Sequence, residues 1–271
     1  MSKKDNHMTF SVGDCVQGDM GEYVIIKRVG VGRFGVVFAC KKKETPGGIV
    51  DERNYVIKFP RQFKDAHRSI SAECSVLRRC AQLNHVVQYI DRVKNEENLI
   101  RKRSRELYYP ITERMDMDMY RYICKFQKQC KYADMSTVVD ISRQLLNGLH
   151  EIHRMGFSHG DIKPENILIL TRQGEKYPCV KYCDVGSFIR LSDQDTYKQS
   201  PLTTSSYRSI ECVLMLKPYT TKTDVWSLGC TLFELATCQM LFDFYHTRDS
   251  CYSNDADDAD DADDADDADD A

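Results

Sequence analysis

The run SHGDIKPEN at residues 158–166 constrains this chain more than any other stretch. It places a carboxylate, an ammonium group and a carboxamide within six residues, at Asp161, Lys163 and Asn166. Apolar residues at helical spacing precede the run and an apolar stretch at 167–170 follows it, so we expect a polar turn held between a buried helix and a short buried strand. Such a turn suits phosphoryl transfer, because Asp161 can accept a hydroxyl proton, Lys163 can neutralise charge on the moving group and Asn166 can bind a metal ion.

A glycine-spaced turn lies near the N-terminus. Gly30, Gly32 and Gly35 separate two stretches rich in β-branched residues, 23–26 and 36–38. Dinucleotide-binding folds share this spacing, but there the motif opens a helix, whereas the residues after Gly35 favour a strand. We interpret the motif as a hairpin whose main-chain N–H groups lie over phosphates, with an ordinary hairpin turn as the alternative.

Three further charged residues interrupt or follow apolar patterns. Lys58 lies inside the apolar strand predicted at 55–59, Glu73 on the helix predicted at 66–83, and Asp184 directly after the strand-like residues 180–183. Each has an ordinary interpretation as well: a lysine that reaches solvent, a surface helix glutamate and an Asp-x-Gly turn. If Glu73 faces inward it needs a cationic partner, because an unpaired buried carboxylate is costly.

Composition indicates a globular body with an acidic tail. Hydrophobic residues make up 42% of the 271, which is ample for a core, and the formal net charge is -3. Residues 255–271 are Asp and Ala only and hold eleven of the 41 acidic residues, so the remaining body is basic. The twelve Cys show no CxxC spacing, which favours free thiols over zinc or disulfides. The chain shows neither a signal peptide nor an apolar run of about 18 residues, and we expect it in the cytoplasm or nucleus.

The order of these motifs resembles that of the protein kinases. HGDIKPEN is similar to their catalytic loop, the glycine turn to their glycine-rich loop, Val56-Ile57-Lys58 to their strand lysine motif and Asp184-Val185-Gly186 to their metal-binding D-F-G. The segment Y-R-S-I-E at 207–211 resembles the CMGC group, and within it the SR-protein and LAMMER kinases. D-V-W-S-L-G at 224–229 is similar to the helix start that braces the catalytic loop.

The resemblance covers roughly residues 21–244 and implies an α+β, two-lobed protein kinase fold. We expect an N-terminal extension over 1–20, a small β-rich N-lobe with the hinge over 21–115, a mainly helical C-lobe over 116–250 and a disordered acidic tail over 251–271. The C-lobe is C-terminally shortened relative to the family. We therefore expect an exposed apolar helix face around Trp226 and Leu232, and an unpaired Glu211.

The resemblance also implies an ATP-dependent protein serine/threonine kinase that uses Mg²⁺. A lysine two residues after the catalytic aspartate, here Lys163 after Asp161, is the pattern of Ser/Thr kinases. The implied catalytic set is Asp161, Lys163, Lys58 and Glu73, and the implied Mg²⁺ ligands are Asn166 and Asp184. The implied nucleotide contacts are Val29, Gly30, Gly32, Gly35, Val37, Lys58, Glu113, Met115 and Leu168.

Three substitutions depart from the family pattern. Gly160 stands where most of these kinases carry an Arg that reads an activation-loop phosphate, which argues against that mode of switching. Val185 replaces the Phe of D-F-G with a smaller apolar plug, and Ile210 replaces a Pro. Together with the shortened C-lobe these changes favour one alternative, an inactive pseudokinase that binds nucleotide or protein. The expected partner is a protein substrate, with Arg/Ser-rich sequences as candidates. We expect a monomer that binds neither nucleic acid nor membrane.

Overall fold

The computed structural model describes residues 10–32, 35–43, 54–61, 65–94, 106–192, 204–214, 216 and 220–243. The acidic tail predicted over 251–271 lies outside the described residues.

Six antiparallel strands form a closed barrel in the N-terminal half. They are β1 (Cys15–Gly18), β2 (Gly21–Val31), β3 (Gly35–Lys42), β4 (Tyr55–Pro60), β5 (Tyr89–Lys94) and β6 (Tyr108–Glu113), in the order β1-β2-β3-β4-β6-β5. Strand β4 shows the alternation that a half-buried strand requires, with Tyr55, Ile57 and Phe59 buried. Lys58 therefore points to the opposite side from these three side chains.

Strand β1 corrects the expected N-terminal extension over 1–20. It pairs with β2 along its whole length and with β5 through Gly18 and Val93, so it closes the barrel. The buried Asp91 carboxylate fixes this junction, because it accepts hydrogen bonds from the main-chain N–H of Met20 (2.9 Å) and the hydroxyl of Tyr23 (3.1 Å). The N-lobe sheet thus begins at Cys15.

One helix packs against the barrel. Helix α1 (Ala66–Arg79) buries Ile70, Glu73, Cys74 and Leu77 on one face, as its apolar spacing predicts. It ends four residues before the predicted end at residue 83. The N–H of Cys80 still bonds back to the carbonyls of Val76 and Leu77, and the chain then turns toward β5.

The C-terminal half is mainly helical. It contains β7 (Met117–Asp118), α2 (Met119–Lys128), α3 (Met135–Arg154), β8 (Phe157–Ser158), β9 (Ile167–Leu170), β10 (Cys179–Tyr182), β11 (Ile189–Arg190), α4 (Ile210–Val213) and α5 (Thr221–Thr237). The strands form a β10-β9-β7 sheet and a β11-β8 pair. Helix α3 buries Ile141, Leu145, Leu149 and Ile152 at helical spacing, which confirms the buried helix expected before the catalytic turn.

The two halves meet beside β10. Val87 N–H donates to the Tyr182 carbonyl at 2.9 Å, and Tyr182 N–H donates to the His85 carbonyl at 2.8 Å. These main-chain bonds tie the segment between α1 and β5 directly to the strand that delivers Asp184. The α+β, two-lobed architecture expected from the sequence is therefore confirmed.

Helix α5 keeps part of an apolar face in solvent. Trp226 is 40% exposed and stacks on Phe242, with ring centroids 5.9 Å apart, whereas Leu232 is half-buried against the core. Within the part of the chain that the structure describes, Glu211 makes no ion pair. None of the described helices combines the length and the apolar character needed to cross a membrane.

Candidate active site

The catalytic-turn residues Asp161, Lys163 and Asn166 lie together, as predicted. The Asn166 carboxamide nitrogen donates to the Asp161 main-chain carbonyl (2.8 Å) and to its carboxylate Oδ2 (3.1 Å), and Lys163 Nζ lies 3.2 Å from the same Oδ2. A short 3₁₀ turn over Pro164–Asn166 begins with the proline and leads directly into β9. Asp161 is half-buried, with 19% of its side chain exposed.

Thr204 is a site residue that sequence reasoning missed. Its main-chain N–H and its hydroxyl both donate to Asp161 Oδ1, at 3.0 and 2.9 Å, and its Oγ1 accepts from Lys163 Nζ at 2.9 Å. Thr204 is one of four consecutive hydroxyl residues, 203–206, so no pattern in the sequence distinguishes it. Through these contacts Thr204 holds the carboxylate of Asp161 and the ammonium of Lys163 close to each other.

Asp224, at the start of α5, anchors the main chain before the catalytic turn. Its carboxylate is 1% exposed and accepts from His153 Nε2 (2.8 Å), Ser158 Oγ (2.9 Å) and the N–H groups of His159 (2.8 Å) and Gly160 (3.0 Å). Burial alone would raise the pKa of Asp224, but these donors outweigh it and the pKa is lowered, so Asp224 is ionised. The expected bracing of the turn by this helix start is confirmed.

Gly160 has a conformation that explains its identity. Its φ is +80°, and a Cβ placed on it would lie 2.8 Å from the Ser187 carbonyl oxygen and 2.9 Å from Ile189 Cδ1. A larger residue here is therefore strained and also collides with the main chain. The space that an arginine would need is closed by the chain itself.

Lys58 pairs with Glu73, as the resemblance implied. The Nζ–Oε2 distance is 2.8 Å, and the same ammonium lies 3.3 Å from Asp184 Oδ1. Burial opposes the positive charge, but the two carboxylates outweigh it and raise the pKa of Lys58, which is therefore protonated. Glu73 is buried on α1 and needs this partner.

The antiparallel pairing of β9 with β10 places Asp184 near Asn166, because Asn166 lies just before β9 and Asp184 just after β10. The N–H of Cys183 donates to the Asn166 carbonyl at 3.0 Å, where β9 and β10 pair. Asp184 itself takes φ +54°, and Val185 follows with no exposed surface. The smaller apolar plug is enclosed within the core together with Leu77.

Most of the predicted nucleotide-contact residues lie on or between strands β2, β3 and β4 of the barrel. Val29 and Gly30 end β2, Gly35 and Val37 begin β3, and Val37 lies opposite Lys58 in the ladder. The tip residues Arg33 and Phe34 lie outside the described residues, and the Gly32 N–H donates to the Gly35 carbonyl at 2.8 Å. Gly35 is required sterically, since a Cβ there would lie 2.7 Å from the Phe59 carbonyl oxygen. Leu168 is half-buried in β9.

Main-chain hydrogen bonds limit what the predicted hinge residues Glu113 and Met115 can offer a ligand. The Glu113 N–H already donates to the Gln88 carbonyl at 3.0 Å, so Glu113 can offer a ligand only its carbonyl. Arg114 N–H donates to the Asn54 carbonyl and Asp116 N–H to the Ile169 carbonyl. Among the described residues, the Met115 N–H has no such partner, which leaves it as the free donor of this segment.

Comparisons with known proteins place this geometry in context. Residues 23–266 match the family model of the protein kinase domain. Cyclin-dependent kinase B2-1 of Oryza sativa subsp. japonica is 31% identical over 226 residues, covering 82% of this chain and 65% of that protein. Cyclin-dependent kinase B2-1 of Arabidopsis thaliana is 31% identical over 229 residues, covering 82% and 68%. The crystal structure of a kinase domain aligns with a TM-score of 0.68 at 24% identity, covering 88% of this chain and 70% of that one. The chain spans about two thirds of the length of these curated relatives.

Proposed function

Because this chain belongs to the protein kinase family, we propose that it transfers the γ-phosphoryl group of ATP to Ser or Thr hydroxyl groups of a protein substrate. The observation that carries the proposal is the fixed position of Asp161. Thr204 and Asn166 donate to its two carboxylate oxygens, and Lys163 lies 3.2 Å from one of them. A carboxylate held in this way is suited to receive the proton of a hydroxyl group that attacks phosphorus.

In the proposed reaction, a bond forms between the substrate oxygen and the γ-phosphorus while the bond to the β,γ-bridging oxygen breaks, leaving ADP. Asp161 takes up the proton of the hydroxyl. Lys163 offsets the negative charge on the transferred group, and Lys58, held by Glu73, contacts the phosphates of the nucleotide. Most of the catalysis therefore comes from positioning and charge stabilisation.

Mg²⁺ fits the donor set at the start of β9 and the end of β10. Asn166 and Asp184 would hold it through a carboxamide and a carboxylate oxygen, which are hard ligands of the kind Mg²⁺ prefers. The Asn166 nitrogen is directed at Asp161, which leaves its oxygen for a cation. The described residues contain no cluster of three His, Cys, Asp or Glu that could hold a metal alone, so phosphate oxygens would complete the site. Bound there, the ion would neutralise charge on the phosphates.

The adenine would lie between the two lobes. Val29 and Val37 would cover it from the barrel, Leu168 would lie beneath it, and the Met115 N–H and the Glu113 carbonyl would bond its edge. Gly30, Gly32 and Gly35 would let main-chain N–H groups approach the phosphates. The alternative of an inactive binding module is not favoured, because all five residues of the implied set are present. Lys58 contacts Glu73 and Asp184, and Asn166 contacts Asp161.

The test is phosphate transfer by the purified full chain with Mg·ATP labelled at the γ-position. The peptide panel should contain an Arg/Ser-rich peptide, a Ser-Pro peptide and a Tyr peptide, since the substrate preference within the CMGC group is part of the proposal. We expect labelled Ser or Thr, and no label with Lys58→Met or Asp161→Asn.

Lys94→Met is the matched control, because the ion pair of Lys94 with Glu106 is exposed and lies at the end of strand β5. It should transfer phosphate at the wild-type rate. A wild-type protein that binds Mg·ATP but labels none of the peptides would contradict the proposal and favour the binding module. Labelling of Tyr alone would contradict the Ser/Thr assignment.

A further inference from the structure

The residues that precede strand β1 form a turn that is tied to strand β2. The Gly13 N–H donates to the Ile25 carbonyl at 2.9 Å, and the Ile25 N–H donates to the Asp14 carbonyl at 2.9 Å. The Asp14 side chain closes the turn, because its Oδ2 accepts from the Ser11 N–H at 2.7 Å. These hydrogen bonds fix the point at which Phe10 leaves the turn.

The turn places the ring of Phe10 on the ring of Phe59. The two rings are stacked, with centroids 3.6 Å apart and an angle of 13° between their planes. Phe59 is 3% exposed and directly follows Lys58 in β4. Phe10 is half-buried and packs against the barrel core to which Phe59 belongs. A side chain from outside the barrel strands thus completes the packing around the strand that carries Lys58.

The same aromatic cluster contacts helix α1. Phe59 packs edge-on against Tyr109 of β6, with ring centroids 5.8 Å apart. The Tyr109 hydroxyl lies 2.8 Å from Nδ1 of His67, in the first turn of α1. Ile70, one turn before Glu73 on the buried face of α1, belongs to the same apolar core as Phe59. The cluster therefore lies between the N-terminal turn and the helix that carries Glu73.

We propose that Phe10 is a positioning residue for the ion pair between Lys58 and Glu73. Stacked aromatic rings stabilise each other beyond the area that they bury, so Phe10 holds Phe59 against the cluster that contacts α1. In this position of the helix, Glu73 reaches Lys58 at 2.8 Å. Without the ring, Phe59 loses its outer partner and α1 can move away from β4. The effect on phosphate transfer rests on the proposed function, whereas the effect on α1 does not.

Amide hydrogen exchange of the full chain tests the position of α1 independently of activity. In Phe10→Ala, the amides of α1 should exchange about 3- to 10-fold faster than in the wild type, the factor that corresponds to one lost aromatic pair. The amides of strand β3 and helix α3 should exchange as in the wild type. Phe10→Leu keeps an apolar side chain on Phe59 and should recover most of the protection. Val12→Ala is the matched control, because it removes a side chain that is 64% exposed from the same turn, and it should leave the exchange of α1 unchanged.

A double-mutant cycle tests whether Phe10 acts through the ion pair. In the phosphate-transfer assay, Phe10→Ala should lower kcat/KM for Mg·ATP about 3- to 10-fold. In a Glu73→Gln background, in which the pair is already broken, the same substitution should change kcat/KM by less than about twofold, because residues that act through one contact are not additive. A residue that only stabilises the fold would cause the same loss in both backgrounds.

Three results would overturn the inference. The first is an unchanged exchange rate of α1 in Phe10→Ala. The second is equal acceleration in α1, β3 and α3 with a lowered urea midpoint, since Phe10 would then only stabilise the fold. The third is a loss of the same size in both backgrounds of the cycle. A wild type that transfers no phosphate would reject the proposed function alone, because the exchange measurement still decides whether Phe10 positions α1.

Discussion

Asp224→Asn tests how far the catalytic turn depends on a single buried carboxylate. In the wild type, Oδ1 accepts from the Gly160 N–H and Oδ2 accepts from the His159 N–H, His153 and Ser158. Asparagine has only one acceptor oxygen. Whichever way its carboxamide is turned, an NH₂ group faces a buried main-chain N–H.

The structure gives the size of the effect. One buried N–H left without an acceptor costs about 1–3 kcal/mol, and the remaining bonds lose their charge-assisted part, so the free energy of unfolding should fall by about 3 kcal/mol. Asp161 lies two residues after His159. A misplacement of its carboxylate by about 1 Å can lower kcat by about 100-fold. Both effects come from one substitution outside the proposed substrate contacts.

Urea unfolding at pH 7, followed by circular dichroism, measures the stability loss, and phosphate transfer measures kcat. Asp134→Asn is the matched control, because Asp134 is an N-cap on α3 and asparagine caps as well as aspartate. A loss under about 1 kcal/mol for Asp224→Asn, with kcat unchanged, would refute the assigned role of Asp224.

The pH dependence of this effect has a definite sign. The pKa of Asp224 is lowered on folding, despite burial, by His153 and the neighbouring N–H groups. A carboxyl whose folded pKa is depressed contributes stability in full above its unfolded pKa of about 3.9, and loses it as the pH falls through the folded value. The stability difference between wild type and Asp224→Asn should therefore stay constant from neutral pH down to about pH 5 and shrink below about pH 4.

Three shorter predictions follow. Thr204→Ala should lower kcat about 10-fold or more, because Asp161 loses its hydroxyl donor, whereas Thr204→Ser should retain most of the rate in the same transfer assay. Asp91→Asn should lower the free energy of unfolding by about 1–3 kcal/mol in urea without changing kcat, since it orphans donors in the barrel junction only. Gly160→Ala should destabilise the protein more than Gly156→Ala does: both positions have φ near +80°, but only a Cβ at 160 meets the main chain.

The sequence predicts well what lies close together along the chain. Asp161, Lys163 and Asn166 share one turn, and the alternation in β4 and the spacing in α3 are read from neighbouring residues. Lys58 and Asp184 are 126 residues apart, so nothing local could place them 3.3 Å from each other. The family resemblance assigned both residues to one nucleotide site, because the order of motifs carries information on topology that periodicity does not.

What could not be predicted depends on tertiary packing. Strand β1 is four residues long and pairs only with β2 and β5, so its position follows from closure of the barrel and not from its own pattern. Thr204 differs from the neighbouring Ser and Thr residues because the fold places its N–H beside the Asp161 carboxylate. In both cases the determining contact is with residues distant in sequence. Patterns within a single sequence carry no signal for such contacts.

Gly160 shows how the two kinds of information combine. The sequence alone indicates only that an arginine is missing, and therefore that a phosphate contact is missing. The structure adds that the position is closed, because Ser187 and Ile189 occupy the space where a side chain would begin. Contacts within the chain hold the turn instead. Asp224 accepts from its main-chain N–H groups, and Thr204 donates to the carboxylate of Asp161. These contacts fix the geometry of Asp161 through neutral and charge-assisted hydrogen bonds, none of which involves a side chain at residue 160.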